Sequence, residues 1–454
     1  MTHTFHETRL LIARCVVLFL LAAASVIAYL TRHSLAVANT TIQKELNLNN
    51  EDFGWLYAAF SAGYFLFQIP GGWVGQRYGV RLVLPLLAIF WSLMTYATAF
   101  VPTFAGLLVI RFLFGLAQAG LVPNQALVVR NWISDQGRGI ASSVMVVAMS
   151  VGGIASMALT SKLLEQSPWR SIFVAYSTLG IVWAVVFWLV FRSTPGEVGG
   201  ILEQSPMSDG QAPDGLDAPV APAMDSSGAE PTTSQSTRSD SPDMLSLFTS
   251  LSLWGLFSQA LLKAAGYNLA VTFLPALLEY IFNVPPKKTG AYVQWSLIAY
   301  IAGSMLGGGL VDLVFRSTGS KYISRSVIAV VTLALAGVFT AIAGYSGTVQ
   351  GTVIWLSVGA FFSGLASAAP WAVVMDVGGK STAVIMGVMN SFAALAGVLL
   401  SPLVGWLIDS TRKTGGDWKV VFLVHGAYYL VAAASWLVVN PNQTLKTVGA
   451  KNAV

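Results

Sequence analysis

The sequence predicts an all-α membrane protein of about twelve spanning helices, arranged as two sets of six. Three observations lead there. Of the 454 residues, 55% are hydrophobic and only 10% are charged, where a soluble domain carries about 25% charged residues. Apolar runs of roughly 20 residues or more recur from end to end, each long enough to cross the ~30 Å hydrocarbon core. One stretch of opposite composition divides the runs six and six.

In chain order the runs fall near 14–39, 53–76, 81–101, 103–129, 138–162 and 169–192, then 250–281, 290–315, 324–346, 349–376, 380–410 and 417–440. The first is longer than a signal-peptide core and has no clear small-residue cleavage site, so it reads as a retained helix. Between the sixth and seventh runs stands "SPMSDGQAPDGLDAPVAPAMDSSGAEPTTSQSTRSDSPD", Ser205 to Asp243. It is almost free of large apolar side chains and cannot bury enough surface to fold, so a flexible linker is expected. The organisation is therefore a six-helix half over residues 1–194, a linker over 195–245 and a second half over 246–454.

Lysine and arginine set the expected orientation. Arg9 and Arg14 precede the first helix, Arg77 and Arg81 flank the second connection, and Arg130 and Arg138 flank the fourth. Arg316, Lys321 and Arg325 follow the eighth. All fall on one side if both termini and the linker are cytoplasmic, although Lys287, Lys288, Arg412, Lys413 and Lys419 lie on the other. A multi-pass protein of the cytoplasmic (inner) membrane is expected. The net charge of +5 fits such loops better than a nucleic-acid partner. The single cysteine, Cys15, excludes an internal disulfide or a cysteine-rich metal site. The sequon at Asn39 matters only in a glycosylating host.

The halves echo one another. "GGWVGQRYGVR" (Gly71 to Arg81) follows the second helix of the first half, and "GGGLVDLVFRSTGS" (Gly307 to Ser320) follows the second helix of the other. Six plus six helices in parallel repeats is a known transporter architecture.

These motifs give the chain its likeness: it resembles the major facilitator superfamily of transporters. The Gly71–Arg81 loop is similar to that superfamily's signature, a glycine followed by Asp-Arg, Gly and Arg, with Gln76 in the place of the aspartate. The substitution removes the charge interaction that helps latch the cytoplasmic side. The second copy keeps a carboxylate, Asp312. Arg77, Arg81 and Asp312 are the expected conformational-switch residues. Within the superfamily, "YLTRHSLAVA", "FQIPGGW", "RFLFGLAQAGLVP", "FLPALL" and "PWAVVMD…MGVMNSFAALAGVLLSPLVGWLID" most resemble the anion:cation symporters, which carry hexuronates, aldonates and other organic anions. The resemblance implies a central cavity between the halves and alternating access.

Polar groups inside apolar helices point to the site. An arginine in a spanning segment costs at least ~2.5–3.5 kcal/mol on insertion scales, so it should face protein or water. Arg32 lies in the first helix and Arg111 in the fourth, and a guanidinium fork suits a carboxylate or phosphate. By resemblance, Arg32 binds the anion and Arg111 binds it or organises the cavity; otherwise either pairs with a backbone carbonyl or snorkels. Tyr29 stands three residues before Arg32, on the same helix face. Tyr64, Asn390 and Trp371 complete the implied cavity, two as hydrogen-bonders and Trp371 as an apolar wall, with plain packing as the alternative for Tyr64 and Trp371. Gln259, Lys263 and Tyr267 recur at i, i+4 and i+8, one helical stripe that should face the cavity. Lys263 there adds a cation from the second half, or else snorkels from the helix end.

Carboxylates are missing where the resemblance implies them. Proton-coupled members carry an aspartate just before the first-helix arginine and a glutamate seven residues after the fourth-helix arginine. Here those positions hold Thr31 and Gln118, neither of which titrates; Gln118 is counted with the expected substrate-binding residues. No other acidic residue lies well inside the first six helices; Asp376 and Asp409 are near helix ends, and a lone His425 is more often structural. Organophosphate–phosphate antiporters also resemble "YLxR" and keep a glutamine in the fourth helix, but Tyr267 and Met149 stand where that branch has an arginine and a histidine. A sensor that kept the carrier fold is the reading of another class.

No Walker loop, HExxH or cysteine pair occurs, so no enzyme activity, cofactor or metal is expected. The expected partners are a small anionic substrate, a coupling ion (proton or sodium) or a counter-anion, and the lipid bilayer, with the chain acting as a monomer.

Overall fold

The structure, a computed structural model, describes residues 2–48, 50–193 and 249–443. The linker expected over 195–245 lies outside the described residues. The first half comprises α1 (Thr2–Val37), α2 (Asn39–Leu46), α3 (Asn50–Tyr78), α4 (Val80–Thr98), α5 (Phe104–Ala119), α6 (Leu121–Trp132), α7 (Arg138–Leu164) and α8 (Trp169–Val190). The second comprises α9 (Leu251–Asn268), α10 (Leu274–Phe282), α11 (Pro286–Thr318), α12 (Ile328–Ala343), α13 (Val349–Leu365), α14 (Ala368–Gly378), α15 (Thr382–Leu395), α16 (Ser401–Thr414) and α17 (Lys419–Ser435).

Among the described residues, ten helices are long and apolar enough to cross a membrane. The second and seventh expected spans, α3 and α9–α10, are not among those ten. The former is a helix whose face carries Ser61, Tyr64 and Gln68; the latter carries Gln259 and Lys263 and continues through a π-helical turn at Leu269–Phe273. The fourth, tenth and eleventh expected spans are broken, as α5–α6, α13–α14 and α15–α16. Apolar composition is indifferent to such breaks, so the hydropathy pattern does not announce them. Thr103, Ser250 and Thr348 start α5, α9 and α13 by accepting from the backbone N–H three residues on, as N-caps do.

The repeat is geometric as well as sequential. In the first half α1 packs on α7, α3 on α5 and α4 on α8; in the second α9 packs on α15, α11 on α13 and α12 on α17. These are the same pairings, first with fifth, second with fourth and third with sixth. Gly79 (φ 87°) and Gly319 (φ 66°) follow the second span of each half with positive φ, which glycine adopts without steric penalty.

The halves meet along α3 against α15 and α7 against α11. Where α7 crosses α11, Gly139 and Gly308 bring the two backbones together, and a Cβ on either would collide with the carbonyl of the other. At this end the connections interlock. Asp312, buried on α11, accepts from the N–H groups of Gly139 and Ile140 at 2.9 and 2.8 Å. It sits on the N-terminus of α7, where an anion is favoured. The equivalent contact from the first half is neutral: Gln76 Oε1 accepts from Val384 N–H in the first turn of α15 at 2.8 Å. Arg77 and Arg81, expected at this switch, are placed on their own half, Arg77 beside the Trp73 ring and Arg81 donating to the Trp188 carbonyl at 3.5 Å.

A charge cluster ties the same end. The Asp376 carboxylate receives Arg138 at 2.7 Å from the first half, and Lys321 and Arg325, both at 3.2 Å, from its own. Asp135 pairs with Arg138 at 2.6 Å and Lys321 at 2.7 Å. Burial alone would raise the Asp135 pKa, but Lys321, Arg138 and Arg325 outweigh it and hold it below the ordinary aspartate value. At the opposite end, α2 is fastened by Glu45, which accepts from the Trp169 indole at 2.6 Å and pairs with Arg170 at 2.9 Å. The indole first, then Arg170, hold the Glu45 pKa below its usual value.

Candidate functional site: a cationic cavity between the halves

A cavity of about 310 Å³ lies between α1 and α3 of the first half and α15 of the second. Tyr29, Arg32, Phe60, Ser61, Tyr64 and Phe65 line it on one side and Asn390, Ala393, Ala394 and Val398 on the other. Its floor is sealed by contacts such as Ser391 Oγ donating to the Phe65 carbonyl across the halves.

Arg32 is held from behind and open in front. Its Nε donates to Gln118 Oε1 at 3.0 Å. Gln118 cannot turn away, because its Nε2 donates to the Ala28 carbonyl at 3.0 Å and to Thr31 Oγ1 at 3.3 Å. Thr31 in turn bonds back to the carbonyls of Ile27 and Ala28. So the two positions that lack carboxylates form a neutral bracket that aims the guanidinium.

Three rings surround the cation: Arg32 Cζ is 4.3 Å from the Tyr29 centroid, 4.6 Å from Tyr64 and 5.0 Å from Phe60. Each such contact is worth about 0.5–2 kcal/mol and a hydrogen bond to a charge about 1.5–3 kcal/mol. Together they offset the ~2.5–3.5 kcal/mol insertion cost of an arginine, but they leave its charge uncancelled. Among the described residues, no ion pair is formed by Arg32.

Arg111 stands beside this group and does not line the cavity. It is 3% exposed, and its Nε is buried without a partner. Its Cζ lies 5.3 Å from the Phe60 centroid and 4.8 Å from Phe114. The two arginines therefore share one aromatic ring.

The other candidates fall in different places. Asn390 lines the cavity, and among the described residues its amide has no protein partner. Lys263 is half-buried on α9 and forms no ion pair among the described residues, but it is not a lining residue of this cavity. On the same stripe, Gln259 is buried with its Oε1 unpartnered, and the Tyr267 ring lies 4.6 Å, centroid to centroid, from that of Tyr300 of α11, tilted by 46°. Trp371, expected as a cavity wall, is instead 6% exposed in the core of α14, near the latched end. A tryptophan in an apolar helix carries no sign of which side it faces. His33, whose ring centroid is 5.9 Å from that of Tyr29, was not anticipated, although its place next to Arg32 was a signal. The apolar lining by Phe60, Phe65, Ala393 and Val398 carries no sequence signal at all.

A sequence-family comparison decides the fold family: the Major Facilitator Superfamily model matches residues 21–399. The chain belongs to the Major Facilitator Superfamily. Within that superfamily, it is 28% identical over 425 residues to a hexuronate transporter of Bacillus subtilis, covering 92% of each chain. A probable sulfoacetate transporter of Cupriavidus necator is 26% identical over 419 residues, again covering 92% of each. A probable galactarate/D-glucarate transporter of Bacillus subtilis is 26% identical over 432 residues, covering 93% of this chain and 91% of the relative. Among solved structures, a proton:xylose symporter superposes with a TM-score of 0.69 at 12% identity, over 95% of this chain and 97% of the other. A Major Facilitator Superfamily transporter in the outward conformation gives 0.62 at 14% identity, over 94% and 99%. At such identities these structures speak to the fold, which they share with this chain.

Proposed function

We propose that this protein is a secondary carrier of a small organic anion, of the sugar-acid class, working by alternating access in a cytoplasmic membrane with both termini inside. The observation that carries the reading is Arg32, which faces a cavity of about 310 Å³ without a carboxylate partner. A fixed cation held open to water inside a membrane protein is a binding group for an anion.

In this reading Arg32 takes the carboxylate, and Tyr29, Tyr64 and Asn390 bond its hydroxyl groups or remaining oxygens. Gln118 and Thr31 position Arg32 without touching the anion. Lys263 approaches the anion from α9 once the halves rock, while Arg111 adds to the field. Asp312, Gln76 and the Asp376 cluster hold one gate shut. The relatives that transport hexuronate, sulfoacetate and aldarates support the substrate class.

The test is uptake by the purified protein in proteoliposomes over a panel of hexuronates, aldonates, aldarates and short sulfonates. Saturable uptake of at least one of them, lost in Arg32→Gln, is the expected result. Binding without flux would instead favour a sensor, and uptake untouched by Arg32→Gln would remove the arginine from the site.

A further inference from the structure

We infer that the substrate is a dianion, with one acidic group on Arg32 and the other in the field of Arg111 past the Phe60 ring, and that it moves only by exchange. The inference rests on the carrier reading above and narrows it. Its warrant is the charge balance around Phe60. Arg32 and Arg111 lie 5.0 and 5.3 Å from that one ring centroid, and Phe60 itself lines the cavity. The titratable groups that face the pair are Tyr29 and His33 on α1 and Tyr57 and Tyr64 on α3. None is a carboxylate. From the second half, the cavity wall is Asn390 and apolar side chains.

The fold does supply carboxylates to its other buried arginines, Arg138 pairing with Asp135 and Asp376. Arg325, 0% exposed, reaches Asp376 at 3.2 Å and the Asp135 carbonyl at 3.1 Å. The lack of an acid beside Arg32 and Arg111 is therefore a property of this site and not of the protein at large.

The consequence follows from the chemistry of arginine. A guanidinium does not release its proton at any physiological pH, so the pair keeps both charges through the whole cycle. A monoanion leaves one of them unneutralised when the cavity closes, whereas a dianion cancels both. Arg111 is already buried, and among the described residues it has no ion-pair partner, so closure over an empty cavity would dry Arg32 beside it and leave two unpaired cations together, the arrangement that buried charges tolerate least. The loaded carrier can close and the empty one cannot, which makes return of the empty site the forbidden step.

The test uses the full chain in proteoliposomes and two matched pairs of probes: glucarate with gluconate, and sulfoacetate with acetate. Vesicles hold either the unlabelled dianion or zwitterionic buffer alone. The expected result is that a labelled dianion enters dianion-loaded vesicles at least ~10-fold faster than buffer-loaded ones, and outcompetes its monoanion by roughly 10–100-fold. Arg111→Gln is expected to lower dianion uptake while monoanion uptake holds or rises, and Arg111→Lys, which keeps the charge, to retain the dianion preference.

Equal transport of both members of a pair would overturn the dianion and leave anion transport standing. So would an Arg111→Gln loss that strikes both alike, the mark of a packing residue. Fast uptake into buffer-loaded vesicles, with or without an inward proton gradient, would overturn exchange. Uptake of no probe, together with failure across the wider panel of sugar acids, would overturn the carrier reading itself.

Discussion

Two groups of arginines occupy this protein in opposite ways. At the latched end, Arg138 and Arg325 are paired with Asp135 and Asp376 inside a shared cluster. At the cavity, Arg32 is surrounded by rings and an amide, with Arg111 behind it among rings, and among the described residues neither forms an ion pair. The difference separates two uses of one side chain. A paired buried charge is held for structure and position, since losing its partner is costly. An uncancelled charge held open by a neutral bracket is poised for something that arrives from outside.

The sharpest way to break the comparison is to neutralise one member of each group. Arg32→Gln is expected to cut uptake by at least ~100-fold, the loss of a charge-assisted grip, while leaving the melting temperature of the detergent-solubilised protein unchanged or raised. Asp376→Asn should do the reverse. It strips the acid shared by Arg138, Lys321 and Arg325 and is expected to destabilise the latched form by about 3–5 kcal/mol. The readout is a lower melting temperature and faster opening, followed by cross-linking between the halves.

Smaller effects refine the picture. Gln118→Ala releases Arg32 Nε and is expected to reduce affinity about 5- to 10-fold, less than the full worth of a hydrogen bond to a charged group, because the bond orients Arg32 and is not made to the anion. Gln76→Asp places a carboxylate on the first turn of α15, where Val384 N–H is already engaged. It should steady the latched form by about 0.3–1 kcal/mol and slow turnover a few-fold; cross-linking and uptake together would read both.

Acid gives the mildest perturbation, with a defined sign. The Asp135 pKa is depressed in the latched form. Its stabilising contribution is therefore complete above the ordinary aspartate value of about 3.9 and is lost as pH falls through the depressed one. The hydrogen-exchange protection factor in the 132–138 connection, with the intrinsic pH dependence of exchange divided out, should be flat from pH 5 to pH 8, about the usual working range, and fall only below the aspartate range.

Much of this was legible in the sequence, for a physical reason. Membrane spans declare themselves by composition, so six plus six helices and their repeat could be read directly. Arg32, Tyr29, Tyr64 and Asn390 stood out because polar groups in apolar helices are costly, and all four line the cavity. What composition does not encode was missed. α2, the helix breaks and the buried place of Trp371 depend on packing in three dimensions. The Asp135–Arg138–Lys321–Arg325–Asp376 cluster joins residues far apart in the chain, each of which looks alone like an ordinary loop charge or helix end. Thr31 was noticed for the acid it replaces and Gln118 also as an expected substrate-binding residue, whereas their geometry makes them a bracket behind Arg32 and Gln118 is not among the residues that line the cavity.

The contact between Gly139 and Gly308 has a practical side. At this crossing the closed gate depends on two hydrogen atoms where any other residue would carry carbon. A methyl group there would act as a doorstop, disfavouring the closed gate while lying far from the anion. Gly308→Ala is therefore a handle for capturing the opposite conformer, and a ligand's preference between wild type and this wedge would report which face of the cycle it binds.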